Sequence, residues 1–228
     1  FFHTSHFCSP SLIFNIRMHM TEAFRLYPII DLKNAIRQSI SMKRTTFYLI
    51  SGFIIFAVLS RLLPHASNFT PLGAIALFGM AYFKDKKWAL IIPLVALWAS
   101  DLFLNNIRYA EYYDGFAWFS SGALFVYGSF AMIAILGYYL LQKVSFGRVL
   151  GGALGASTIF FVVSNFGVWI SSPMYPLTLE GLAMCYTAAI PFFHYTIAGD
   201  LIYSGVLFGG FEYITRIYPS LRPVCPGR

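Results

Sequence analysis

Charge is scarce in this chain. Of its 228 residues, 11% are Asp, Glu, Lys or Arg, where a soluble domain carries about 25%. A globule with so little charge would expose large apolar patches, which soluble monomers avoid. That excludes an ordinary soluble enzyme. Disorder is excluded from the other side, because 58% of the residues are hydrophobic and 19% are aromatic, which is the opposite of a disordered composition. Cysteine is scarce as well. Cys8, Cys185 and Cys225 are scattered and odd in number, so neither a disulfide framework nor a metal set is expected. Enzyme signatures are missing too: the sequence has no phosphate loop, no HExxH, no GxSxG and no CxxC. The expectation is a protein without catalytic activity, cofactor or metal.

What is present is a series of apolar runs, at residues 46–63, 71–83, 88–104, 116–141, 149–170 and 186–210. A membrane span needs about 20 residues. The sequence therefore predicts an all-α membrane protein, a bundle of six transmembrane helices lying in the lipid bilayer. The run at 71–83 is short. The preceding loop, residues 65–70, is expected to complete it by entering the membrane, which backbone tolerates only when it is buried in protein or lines a cavity.

The net charge of +7 would suggest nucleic acid in a soluble protein. Its distribution says otherwise. With six spans, fourteen of the sixteen Lys and Arg residues fall on one side, and only Arg61 and Arg108 on the other. The crowded side is cytoplasmic by the positive-inside rule, so both termini are expected inside and no nucleic-acid partner is expected. Residues 1–41 show no long apolar run, whereas Met42-Lys43-Arg44 opens the first span as inner-membrane proteins often begin. Residues 1–41 are read as an extension upstream of the natural start or as a disordered segment, 42–215 as the transmembrane domain, and 216–228 as a cytoplasmic tail.

Ionisable groups inside spans are costly and usually face a bundle interior or a site. Asp101 lies near the outer end of span three and Asp200 well inside span six, with His194 above it. Asp101 and His194, with Asn68, Asn165, Trp169 and Glu180, are expected to gather at the outer half of the membrane, with Asp200 as a deeper polar anchor. The candidate ligand-binding set is Asn68, Asp101, Asn165, Trp169, Asp200 and His194. Each has a plainer role: Asp101 as a helix-end residue, Asn165 as interhelical glue, Trp169 as part of an interfacial aromatic belt, Asp200 as a partner of His194 or a helix cap. Gly151 with Gly155 and Gly205 with Gly209 form small-xxx-small pairs, expected mainly to pack helices within the monomer.

Several segments carry a resemblance: Asn68-Phe69-Thr70-Pro71-Leu72-Gly73-Ala74, Ser100-Asp101-Leu102, Ser164-Asn165-Phe166-Gly167-Val168-Trp169, Met174-Tyr175-Pro176 and Gly199-Asp200-Leu201. They look like an uncharacterised family of small bacterial inner-membrane proteins, over roughly residues 61–210. That family in turn resembles the substrate-binding S components of energy-coupling-factor (ECF) transporters. The resemblance implies a subunit that binds a vitamin-like nutrient from outside and docks on a transmembrane coupling subunit with ATPases. S components often carry an Ala-x-x-x-Ala docking face, where this chain reads Ala57-x-x-x-Arg61. The rival expectation is a non-transporting scaffold or assembly protein of the envelope.

Overall fold

The computed structural model describes residues 44–63, 68–120 and 122–222. The chain divides into two units, Phe1–Thr45 and Thr46–Arg228. The expected extension at 1–41 lies outside the described residues, as do residues 64–67 of the first loop and 223–228 of the expected tail. The helical bundle belongs to the second unit.

The described residues form six α-helices and no strand. They are α1 (Arg44–Ser60), α2 (Leu72–Tyr82), α3 (Lys86–Phe103), α4 (Ala123–Leu140), α5 (Phe146–Ser171) and α6 (Leu179–Ile217). A π-helical turn, Leu104–Arg108, continues α3. Three stretches are long and apolar enough to cross a membrane: Lys86–Arg108, Ala123–Leu140 and Phe146–Ser171. Helix α6 is longer still, at 39 residues, but Pro191, His194 and Asp200 interrupt its apolar run. At 1.5 Å per residue it extends about 58 Å.

The short helix α2 is the centre of the bundle. It packs against α3, α4, α5 and α6, and Phe78 meets Phe53 of α1. Ten of its 11 residues are buried, as expected of a helix that is apolar all round. Its small residues set the spacing. A Cβ on Gly79 would come within 3.1 Å of the Ala89 carbonyl, and one on Gly137 of α4 within 3.2 Å of Met80. Around Phe78 an aromatic cluster closes the core, with Phe208 at 5.4 Å and Phe211 at 5.6 Å between ring centroids. Eleven residues extend only about 16 Å, roughly half of a hydrocarbon core of about 30 Å. Shortness is therefore no defect in α2, because its neighbours cover it.

Two boundaries differ from the sequence reading. The fourth apolar run was expected to be helical from residue 116, but α4 begins at Ala123. The Asn106 side chain explains the delay. Its carbonyl accepts from the Ala117 amide at 2.8 Å and its Nδ2 donates to the Ala117 carbonyl at 2.9 Å. Both backbone groups of Ala117 are thus taken, and that holds the segment out of a helix. The sixth helix begins at Leu179 rather than near residue 186, because the Thr178 hydroxyl accepts from the Gly181 amide at 3.2 Å and caps it.

The outside of the bundle is apolar. Phe56, Leu124, Ile135 and Ile190 are all more than half exposed. Such a surface is suited to lipid and would not be tolerated by water. Together with the three long apolar helices it makes this a membrane protein.

Candidate functional site

Two carboxylates stand inside the helices, and their surroundings differ. Asp200 is 2% exposed. It lies near the middle of α6 and faces the start of α2. Nothing local caps that helix: Pro71 stands at its N-cap and makes no side-chain capping bond. Asp200 supplies the cap from another helix. Its Oδ1 accepts from the Ala74 amide at 3.3 Å, and its Oδ2 accepts from the Ser157 hydroxyl of α5 at 2.7 Å. A carboxylate at a helix N-terminus also meets the positive end of the helix dipole. The sequence permits the close approach because residue 73 is glycine. A Cβ there would lie 2.5 Å from Oδ1. One residue earlier on α6, Gly199 admits the incoming loop, where a Cβ would lie 3.1 Å from both backbone N and O of Thr70. The Phe69 ring then rests on Tyr203 at 5.7 Å. At the turn of this loop, Asn68 adopts φ 65°, a left-handed conformation in which asparagine is enriched.

Asp101 stands on α3 near its end and is only partly buried. Its Oδ1 pairs with Arg61 Nη2 at 2.9 Å, with side chains 19% and 13% exposed respectively. Its Oδ2 accepts from the Tyr127 hydroxyl of α4 at 2.9 Å. Arg61 Nη1 donates to Ser100 Oγ at 2.7 Å. Just before Arg61, the hydroxyls of Ser60 and Tyr203 lie 2.8 Å apart. The cluster therefore ties the end of α1 to α3 and α4.

This cluster is not saturated. Arg61 Nε, Trp98 Nε1 and Asn105 Nδ2 are buried and have no hydrogen-bond partner among the described residues. All three are donors. Buried polar groups are normally paired, and one left unpaired loses about 1–3 kcal/mol. Trp98, Asp101 and Asn105 are spaced as neighbours on one side of a helix are. Beside them is an open cleft of about 300 Å³ lined by Leu94, Val95, Trp98, Phe119 and Tyr127. It shares Trp98 and Tyr127 with the polar cluster. Chemically, the arrangement offers an apolar wall, one charged pair and N–H groups lacking an acceptor.

The other expected site residues sit elsewhere. Asn165 turns its Nδ2 back to the Phe161 carbonyl at 2.7 Å, and its own carbonyl accepts from the Cys185 thiol at 3.4 Å. Trp169 Nε1 donates to the Pro176 carbonyl at 2.9 Å and so holds the loop between α5 and α6. Asn68 and Glu180 are exposed. His194 is also exposed and stacks on Tyr195 at 3.9 Å. Six residues along a helix is 600°, which turns His194 about 120° away from Asp200. No hydrogen bond or ion pair among the described residues joins Asn68, Asn165, Trp169 or His194 to either aspartate. The sequence reading missed Arg61, Trp98, Asn105, Tyr127, Ser157 and Gly73. Arg61 left one legible signal: it is one of the two cations that the six-span reading of the sequence sets apart from the other fourteen.

These features define an all-helical membrane protein with a partly buried charged cluster at one end of α1, α3 and α4. The chain belongs to a family of unknown function, DUF6580, which matches residues 41–221. The resemblance to an uncharacterised family is thereby given its identity. No curated protein and no solved structure matches the chain, and the S-component resemblance finds no support there.

Proposed function

We propose that this is a multi-pass protein of the bacterial inner membrane with six spans and both termini in the cytoplasm. It acts as a binding or transport subunit, not an enzyme, and takes a small vitamin-like or nutrient molecule from the outer side. The observation that carries this reading is the set of three unpaired N–H donors around Asp101, next to an apolar cleft. A mostly apolar cavity with a few placed polar groups is the usual form of a small-molecule site. Unpaired donors beside a carboxylate select the ligand class: an apolar body bearing a neutral carbonyl acceptor, because Asp101 would repel an anion. The 14-to-2 partition of Lys and Arg supports the orientation, and it puts Arg61 and Asp101 toward the outside. No nucleotide-binding domain is legible in the sequence, so any transport would draw on a gradient or on a coupling subunit with ATPases.

A thermal-shift screen of the purified protein against vitamins and their neutral carbonyl-bearing precursors tests the site. The expected result is a ligand that stabilises the wild type and fails to stabilise Asp101→Ala. If no compound stabilises the protein and Asp101→Ala cells grow normally on scarce nutrients, the binding reading falls. The scaffold reading would then gain from the uncovered face of α5 and α6.

A further inference from the structure

Helix α6 carries a second surface that the proposed site does not use. Gly205 and Gly209 are exposed, and a Cβ built on either would meet nothing within 4 Å. The small-xxx-small pair expected to pack within the monomer is therefore free. It opens on a groove of about 550 Å³ between α5 and α6, with Val149 and Ala153 opposite. Within the groove lies Ser204, which is 2% exposed and whose hydroxyl has no partner among the described residues. That is unusual in this fold. Ser51, Ser157, Ser164 and Thr215 each return a hydroxyl to a carbonyl of their own helix. A lipid tail offers Ser204 nothing, whereas a facing helix backbone, at the short distance that glycine permits, offers carbonyls to the hydroxyl once a rotation about its Cα–Cβ bond turns it outward from its enclosed position.

The charges at one end of the groove indicate the occupant. Glu212 and Arg216 line it and continue the face of Gly205 and Gly209, spaced four, three and four residues apart as one helix stripe requires. Arg216 has no ion-pair partner among the described residues, and Glu212 has a long ion pair with Arg222 at 3.9 Å and a long hydrogen bond from the Tyr82 hydroxyl at 3.4 Å. An acid and a base on one stripe are self-complementary under a twofold axis, because such an axis sets residue i against j and j against i. We propose that this face binds a second copy of the chain. Gly205 and Gly209 of the two α6 helices meet at the crossing, Ser204 donates across the seam, and Arg216 of each copy pairs with Glu212 of the other. The inference rests on α6 crossing the membrane, but not on the ligand site.

The test is single-molecule photobleaching of the labelled full-length chain in lipid vesicles at low protein density. Wild type should bleach in two steps. Gly205→Ile with Gly209→Ile should lower the dimer fraction at least tenfold. Because a Cβ at either position meets nothing within 4 Å, the melting temperature in detergent should not fall, and that separates loss of contact from loss of fold. Arg216→Glu should weaken the dimer about fivefold, and Glu212→Arg with Arg216→Glu should restore it. Single-step bleaching of the wild type overturns the proposal. So does a different polypeptide co-purifying one to one, or a lipid retained in native mass spectra that Gly205→Ile displaces. Release of the chain from membranes by alkaline carbonate would instead bring down the membrane reading itself.

Discussion

Asp200 and Asp101 are the same residue type in the same kind of helix, yet they do different work. Asp200 is enclosed, and its bonds go to groups that need it: an uncapped helix start and a serine hydroxyl. Removing it would strand the Ala74 amide and leave Ser157 only the Ala153 carbonyl of its own helix. Asp101 is partly open, its main partner is a cation, and donors near it have no acceptor. The difference shows that burial depth alone does not mark a binding residue. A carboxylate deep in a bundle can be structural when its whole hydrogen-bonding capacity is absorbed by the groups around it. A shallower one is the better candidate when its neighbourhood still lacks partners. In transporters with broken helices, a half-helix N-terminus often faces an anionic substrate. Here the start of α2 is already occupied by Asp200.

Substitutions can break or sharpen this contrast. The largest effect is expected for Asp200→Ala. It leaves the buried Ala74 amide without an acceptor and Ser157 with only the Ala153 carbonyl of its own helix, a loss of about 2–3 kcal/mol, read as a lower unfolding midpoint in detergent. Gly73→Ala should follow at about 2 kcal/mol, because the new methyl overpacks against the carboxylate. A Gly73→Ala protein as stable as wild type would show that the cap is not a close fit. Asp101→Ala should cost less, about 1–2 kcal/mol for the Tyr127 hydroxyl and Arg61 Nη2 that lose their acceptor in a less enclosed setting, but it should also lose at least tenfold in ligand affinity, about 1.4 kcal/mol. Trp98→Phe keeps an aromatic ring and deletes the unpaired N–H. Stability should hold or rise slightly, while affinity drops by about 1 kcal/mol, the net value of one hydrogen bond. His194→Ala should change neither property by more than about 0.5 kcal/mol. Loss of binding in that variant would move the site to the N-terminal half of α6 and dissolve the contrast.

Much of the fold was legible because apolar runs and helix length obey one constraint, the hydrocarbon thickness. The runs at 88–104 and 149–170 came close to α3 and α5. The fourth run misled because Phe116 and Trp118 are as apolar as a span, and composition does not show that Asn106 takes the Ala117 backbone. The site was less legible. Asp101 and Asp200 stood out as acids in apolar text, but nothing along the chain said which was saturated. Ser157, Tyr127 and Arg61 are 43, 26 and 40 residues from the aspartates they bond, judged by position in the sequence. His194 was drawn to Asp200 by proximity along the chain, and helical rotation separates them.

The sequence by itself determined the class. Few charges and many apolar residues leave lipid as the compatible solvent, and helices are the form in which an apolar run satisfies its own backbone. Tertiary structure alone decided what the polar residues do. A short apolar helix became the core only because its neighbours surround it, and its open N-terminus then required an acceptor from another helix. Asp200 met that need, whereas Asp101 is held by Arg61 and Tyr127 beside donors that lack an acceptor, which is why the proposed ligand site is placed there.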